Sequence, residues 1–463
     1  MIRITGNLRF EEKVGMDQAR HVLNYVKQDA TYGTFGEFPD YFKLEDWKWK
    51  IQDISHAKVN EKISEHVFRF TIKLNSDLIK IKRGGLQHLI GILAGDLFYL
   101  RISDIPNFTF EVTNVNLPES LWNEAKSSYT PNSEFSISTI REMFNLSSEP
   151  LLAFSFKPRV GLKFEKVREI SLKVLKSGFN IIELDTRNLE LTDNNIDKLV
   201  NLAKDASACS SHTTVFSPNL SAPAPIAKQI CKRFVDVQNE PILIKIDGGL
   251  DGISTCQEIR RDFPPHGIEE DTKSPIITSY PLLRSNLDPN VPPDFFNRAL
   301  SASGADILYP GGRPNFGSDI RSLDASEIDN LVNSIERYRD IVKKGRPMPS
   351  VAGGVHAGQL HLYYELLGPS VAYFLGGAVA LHKDGPVKGA ALCSDVINKA
   401  VELREKNPKA RYPPNLPEKM IKRVESAYDP NTESEDLYKY HSPEIEIPKI
   451  HSFGTIESWF YNR

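Results

Sequence analysis

Cysteine is scarce in this chain and scattered where it occurs. Cys209, Cys231, Cys256 and Cys393 include no CxxC pair, so neither a disulfide frame nor a thiolate zinc site is expected, only reduced, partly buried thiols. Charge of one sign is equally lacking, since 57 basic and 60 acidic side chains leave a net charge of -3. That balance offers no basic field for nucleic acid and no polybasic patch for a membrane surface. Nowhere is an apolar run long enough to span a bilayer, and the start, Met1-Ile2-Arg3-Ile4-Thr5-Gly6, lacks the charged and apolar regions of a signal peptide. A cytoplasmic location is the expectation.

What is present describes an ordinary globular protein, with 40% hydrophobic and 25% charged residues. At 463 residues the chain exceeds the usual size of one core, so two domains are expected. Residues 1–145 mix strand and helix signals without strict alternation, which suggests a small α+β domain. Within it, residues 18–27 predict a helix with Ala19, Val22, Leu23 and Val26 inward, and residues 66–74 alternate as a strand. A glycine-led run over 84–95 reads as helical, and the polar stretch 127–136 reads as the start of a linker.

From residue 150 the pattern changes to short apolar runs alternating with helical periodicity, in about eight units, the number a closed β/α barrel needs. The first run ends in Phe154-Ser155-Phe156-Lys157-Pro158 and turns into a helix over 164–176, whose Val167, Ile170, Val174 and Leu175 share a face ahead of Gly178. Further strands are predicted over 180–184, 213–216, 241–246, 276–280, 307–309, 349–351 and 371–374. Helices are marked by Ile226, Ile230 and Phe234, and by Ile328, Leu331, Val332, Ile335 and Tyr338. The charged, proline-containing stretch 260–274 is expected to loop over the surface, and residues 406–463 form a charged extension ending in aromatics that docks on its own domain or a partner. The expected fold is α/β, a C-terminal (β/α)8 TIM barrel over 146–405 behind a smaller α+β domain of ferredoxin-like type.

Barrels place their chemistry at the carboxyl ends of the strands, and Lys157 occupies such an end. Gly353-Gly354 and Gly376-Gly377 follow the last two strands, where amides unobstructed by a Cβ can approach a phosphate, or where glycines simply turn the chain. Glu183 and Asp185 point the same way on the second strand, which suits a shared magnesium ion, an acid and base pair, or two acids held by loop amides. Asn219, Lys245, Asp247, Tyr280, Arg284, Tyr309, Arg313 and His356 are further strand-end candidates, each with an equally plain structural reading.

Phe156-Lys157-Pro158-Arg159-Val160-Gly161-Leu162 resembles the Lys-Pro-Lys-x-Gly-Leu segment of the large subunit of ribulose-bisphosphate carboxylase (RuBisCO) and its relatives. Other likenesses follow in order along residues 1–400. Tyr32-Gly33-Thr34-Phe35 resembles that family's Thr-Gly-Thr-Trp, and the segment from His88 to Phe98 its Gly-Asn-x-Phe region. Ala352-Gly353-Gly354-Val355-His356 resembles Ser-Gly-Gly-Ile-His, and Gly376-Gly377 with 381–385 the Gly-Gly-Gly and Gly-His-Pro-x-Gly segments.

Departures from the carboxylase pattern define the kind of relative. Glu183, Leu184, Asp185 and Thr186 stand where the family has Lys-Asp-Asp-Glu, so the carbamylated lysine that helps bind magnesium is missing. Tyr280-Pro281 and Tyr309-Pro310 replace His-Arg and His-Ser, the loop 311–317 contains no lysine, and Ala352 replaces a serine. The resemblance therefore implies a non-carboxylating, RuBisCO-like protein of form IV, enolising and isomerising or decarboxylating a phosphorylated keto-sugar. In that reading Lys157 is the base beside Arg159, while Tyr280, Tyr309 or a metal stabilises the enolate oxygen, and Gly353, Gly354, His356, Gly376, Gly377 and Thr34 bind substrate and phosphate. Magnesium is the implied cofactor, on a degenerate site of Glu183 and Asp185; no organic cofactor is expected. Family members build each site between two subunits, which implies a homodimer with Asp29 and Asp96 facing the neighbour's site. The alternative is a catalytically inactive homologue retained as a ligand-binding or regulatory protein.

Overall fold

A computed structural model describes residues 1–32, 49–59, 62–76, 89–90, 93, 107–129, 135–158, 162–185, 192–237, 241–265, 273–280, 291–310, 325–407 and 416–427. The chain divides into two compact units, Met1–Asn132 with Pro281–Gly304, and Ser133–Tyr280 with Ala305–Arg463.

The first unit contains strands β1 (Ile2–Phe10), β2 (Lys50–Val59), β3 (Lys62–Leu74) and β4 (Phe108–Asn116), paired antiparallel in the order β2-β3-β1-β4. An antiparallel sheet in this order agrees with the ferredoxin-like α+β unit expected from the sequence. Period-two alternation buries Ile2, Ile4 and Leu8 of β1 with Phe68, Phe70 and Ile72 of β3. A Cβ on Gly6 would lie 2.2 Å from the Glu111 carbonyl oxygen and 2.5 Å from Phe70 Cζ, so only glycine admits the Phe70 ring there. The helix Met16–Tyr32 buries Ala19, Val22, Leu23 and Val26, the face its sequence predicts.

The second unit is a β/α barrel. Strands β5 (Leu151–Ser155), β6 (Ile181–Leu184), β7 (Val215–Pro218), β8 (Ile242–Asp247), β9 (Pro275–Tyr280), β10 (Ile307–Leu308), β11 (Met348–Ala352) and β12 (Ala372–Leu375) form a parallel sheet in the order β7-β6-β5-β12-β11-β10-β9-β8. The ends of that order meet through a parallel bridge between Asn219 and Lys245, with the Leu220 amide donating to the Lys245 carbonyl at 2.8 Å, which closes the barrel. Its floor is apolar. Leu151, Ala153, Ile181, Val215, Leu243, Ile276, Ile307, Met348, Ala372 and Phe374 converge on Ile137 and Ile140 of the helix Ile137–Met143. Because side chains alternate, the residues two or four places beyond these floor residues point into the same interior nearer the carboxyl ends. They include Ser155, Glu183, Ser217, Asn219, Lys245, Asp247, Thr278, Tyr280, Tyr309 and Ser350. Alternation turns an apolar floor into a polar mouth.

Two expectations change. No linker begins at residue 127, because the helix Glu119–Tyr129 continues through that point, and Ser136 caps the helix Ile137–Met143. The stretch from residue 260 does not begin as a surface loop. Arg260 belongs to the helix Ile253–Asp262 and is fully buried, donating to Ser274 Oγ (3.0 Å), to the Pro275 carbonyl (2.7 Å) and to Asp306, whose Oδ2 also accepts the Ile277 amide at 2.8 Å. A guanidinium with this many acceptors is stable inside the protein, which composition alone does not reveal. The start of the C-terminal extension docks on its own unit, with the Lys383 amide bonded to the Ala427 carbonyl at 2.9 Å and Arg423 paired to Asp395 at 2.5 Å. Among the described residues no helix is long and apolar enough to cross a membrane, and the four cysteines are unbridged.

Removing one partner of a buried ion pair leaves the other uncompensated. Arg260→Met is expected to lower unfolding free energy by about 3–5 kcal/mol, read as a fall in the urea midpoint with the slope unchanged.

Candidate active site

The polar residues of the barrel mouth form a connected arc. At its β5 end Ser155 Oγ donates to Glu183 Oε1 at 3.2 Å, and half-buried Lys157 lies two residues further on. The side chain of Lys157 runs along the loop after β12, for a Cβ built on Gly376 would stand 3.7 Å from both its Cγ and its Cε and 3.6 Å from the Ser155 carbonyl. The ammonium itself reaches the Phe156 carbonyl at 3.5 Å.

Glu183 looks the other way as well. Lys245 Nζ donates to Glu183 Oε1 at 2.9 Å and lies 4.0 Å from Asp247 Oδ1, with the Lys245 and Glu183 side chains only 11% and 9% exposed. Burial alone would favour the neutral amine of Lys245. The carboxylates of Glu183 and Asp247, with Asp185 beyond them, outweigh it and hold the lysine above its ordinary value. Asp247 is in turn fixed by a ring of hydrogen bonds. Asn219 Nδ2 donates to Asp247 Oδ2 (2.8 Å), Ser221 Oγ donates to Asn219 Oδ1 (2.6 Å), and the Asp247 amide donates to Ser221 Oγ (2.8 Å). The Ser221 amide also donates to Asn219 Oδ1 at 3.0 Å, which sets the amide's orientation.

At the β9 end the Lys245 ammonium lies 5.7 Å from the centre of the Tyr280 ring, and Tyr280 stacks on Tyr309 at 5.2 Å with 25° between planes. The arc thus runs from Gly376 through Lys157, Ser155, Glu183 and Lys245 to Tyr280 and Tyr309. Gly353 and Gly354 follow β11 with φ of +76° and +66°, a conformation that favours glycine, and both are exposed. Gly377 opens the short helix Gly377–Ala380 after β12, Asp185 sits half-buried one residue past β6, and His356 is buried with 1% exposure. Thr34, Asp29, Asp96, Arg159, Thr186, Arg284 and Arg313 lie outside the residues whose side chains are described. Sequence reading named Lys245, Asn219 and Asp247 only as strand-end candidates and missed Ser155 and Ser221. Counting alternate residues upward from the apolar start of β5 would have found Ser155.

The resemblance implies a divalent cation at Glu183 and Asp185, and the residues as arranged do not fit one. Glu183 Oε1 already accepts from Lys245 and Ser155, Asp247 Oδ2 accepts from Asn219, and a neighbouring ammonium repels a second cation. Among the described residues no group of three or more His, Cys, Asp and Glu is placed to hold a metal ion.

An antiparallel α+β unit joined to an eight-stranded parallel barrel with a polar mouth defines the class of protein. A scan against protein-family models found no match. Among curated proteins the chain is similar to the ribulose bisphosphate carboxylase of Pyrococcus abyssi, 22% identical over 377 residues that cover 80% of this chain and 84% of the relative. Its similarity to the Pyrococcus horikoshii protein of the same name is 23% over 385 residues, covering 80% and 82%. Solved structures agree. The octameric ribulose-1,5-bisphosphate carboxylase/oxygenase of Pyrococcus horikoshii matches with a TM-score of 0.66 at 19% identity, over 88% of this chain and 90% of that one. The dimeric archaeal Rubisco of Hyperthermus butylicus matches at 0.64 and 17%, over 89% and 93%. Sequence similarity along four fifths of the chain, with the shared fold, supports a protein of the ribulose bisphosphate carboxylase family.

A double-mutant cycle of Lys245→Met and Glu183→Gln is expected to give a coupling of about 0.5–3 kcal/mol in urea denaturation at neutral pH. Because the folded lysine titrates above its unfolded value, the stabilisation is complete below about pH 10.4 and declines as pH rises through the higher folded value. A coupling near zero at neutral pH would contradict the pairing.

Proposed function

We propose that this protein is a non-carboxylating, RuBisCO-like enzyme of form IV that enolises a small phosphorylated keto-sugar and completes an isomerisation or a decarboxylation. The observation that carries the reading is the position of Lys157. It stands at the carboxyl end of the first barrel strand, half-buried, with its stem against Gly376 and its ammonium on the rim that also bears Glu183 and Lys245. Such a lysine suits proton abstraction from the carbon beside a carbonyl.

The chemistry needs three parts. As the free amine, Lys157 takes the proton, the electron pair of the broken C–H bond moves into the C–C bond, and the carbonyl oxygen becomes an enolate. A positive group or hydrogen-bond donor must meet that oxygen. The Lys245 ammonium and the Tyr280 and Tyr309 hydroxyls are the groups this rim offers. The isomer forms when the abstracted proton returns to the former carbonyl carbon while the hydroxyl proton on the neighbouring carbon passes to the enolate oxygen, so that the carbonyl moves one carbon along the chain. The phosphate suits the glycine turns at Gly353-Gly354 and Gly376-Gly377, whose amides carry no Cβ in front of them. His356, being buried, suits support of the Gly353-Gly354 turn better than contact with substrate. Two features favour non-carboxylating chemistry: a glutamate, not a carbamylatable lysine, stands at 183, and residues 311–317 contain no lysine. A homodimer completes the reading, because the resemblance puts Asp29 and Asp96 at the neighbouring subunit's site.

Proton–deuterium exchange by NMR over a panel of phosphorylated keto-sugars tests the chemistry. Exchange beside the carbonyl is expected with wild type and should fall by about 100- to 10,000-fold in Lys157→Ala. Undiminished exchange in the variant would remove Lys157 as the base. Absence of exchange with every compound, alongside ligand-induced thermal stabilisation, would favour the non-catalytic binding protein. Gly353→Ala places a Cβ on a left-handed residue at a cost of about 1–2 kcal/mol, and its KM for the phosphorylated substrate is expected to rise more than its kcat falls.

A further inference from the structure

We propose that Lys245 is the resident cation of this barrel mouth, its ammonium standing in the place of a divalent metal, so that the protein binds no divalent ion there until Lys245 is removed. The inference goes beyond the enolising reading and does not depend on it, since it concerns which cation the carboxylates hold, whatever the ligand.

Three observations carry it. The first is occupancy: Lys245 Nζ sits 2.9 Å from Glu183 Oε1 and 4.0 Å from Asp247 Oδ1, between two carboxylates from different strands. Those are oxygens a hard cation would otherwise gather. The second is burial. Glu183 is 8% exposed, Lys245 9% and Asp247 2%, so the acids require a compensating positive charge and solvent supplies little of it. The third is orientation. Both the amide and the hydroxyl of Ser221 donate to Asn219 Oδ1, which turns Asn219 Nδ2, a donor, toward Asp247 Oδ2. A metal site would present the Asn219 oxygen. Here it presents the amide N–H, which matches a carboxylate already facing an ammonium and leaves a metal short of one ligand.

Lys245 is also fixed in place by the fold. Its backbone forms the Asn219 bridge and accepts the Leu220 amide at 2.8 Å where the barrel closes, so the ammonium is delivered by the same residue that completes the sheet. A bound metal would have to displace a side chain whose main chain cannot move away.

Titration of the full-length protein with Mn2+, followed by the electron paramagnetic resonance of the free ion, tests this directly. Wild type is expected to show no stoichiometric site, and its melting temperature should be the same in EDTA and in Mn2+. Lys245→Met, which keeps the stem and removes the charge, should bind Mn2+ about 10- to 100-fold more tightly than wild type, the scale of effects from groups around a metal. It should also melt higher with Mn2+ than without. Should Lys245→Met fold only with Mn2+ present, the proposal is supported in the strongest form. A folded variant that gains no Mn2+ affinity, or a variant that Mn2+ does not restore, overturns it. Stoichiometric binding by wild type that is lost in Glu183→Gln overturns it independently of how the lysine variant behaves. Enolising activity is not read in any arm, so failure here leaves the proposed reaction to its own test.

Discussion

A closed parallel barrel has an interior that side chains alone can fill, and strand alternation decides which ones. The rest of this structure depends on that constraint. Floor residues such as Leu151, Ile181, Val215, Leu243 and Ile276 bury against Ile137 and Ile140. Their choice of face commits Ser155, Glu183, Ser217, Lys245 and Thr278 to the same cavity, nearer its mouth. A slip of one residue in any strand would turn its polar side chain outward and expose its floor residue instead. The core and the candidate site are therefore specified together.

Packing that many polar groups into a barrel is costly unless they satisfy one another. Around Asp247 the hydrogen bonds form a loop through Asn219 and Ser221 back to the Asp247 amide, and around Glu183 they come from Lys245 and Ser155. Such networks hold side chains in single orientations, which is what pre-organised electrostatics requires. Lys245 belongs to both groups, by contact with Glu183 and by proximity to Asp247. It also meets the face of Tyr280, joining the acidic side of the mouth to the stacked tyrosines.

The likeness to the carboxylases covers the fold and most of the chain's length, whereas the resemblance implies that residues at the mouth differ, as at Glu183 and in the loop 311–317. Its glycine turns and strand-end lysine remain in the order the resemblance implies. Its acidic end is neutralised from within by Lys245. A scaffold that fixes strand ends rigidly tolerates such exchange, because mouth residues contribute less to the apolar floor that holds the barrel together.

Much of this was legible beforehand. Apolar runs bounded by glycine, proline and polar residues placed the barrel strands to within two or three residues, as for β8 and β9, since a buried parallel strand needs such a run and little else. Lys157, Gly353 and Gly376 were visible as strand-end residues for the same reason. Arg260 was not, because its burial depends on Asp306, 46 residues away, reaching the same interior point. Nor was the pairing of Lys245 with Glu183, 62 residues apart on strands separated by β7. Nor was the grouping of residues 281–304 with the first 132, though the chain enters and leaves them through the barrel. The amino-acid sequence by itself determined the elements, their alternation and hence which side chains face inward. Tertiary structure alone decided which of those side chains meet, because closure of the barrel, not spacing along the chain, brings the ends of distant strands within hydrogen-bonding reach.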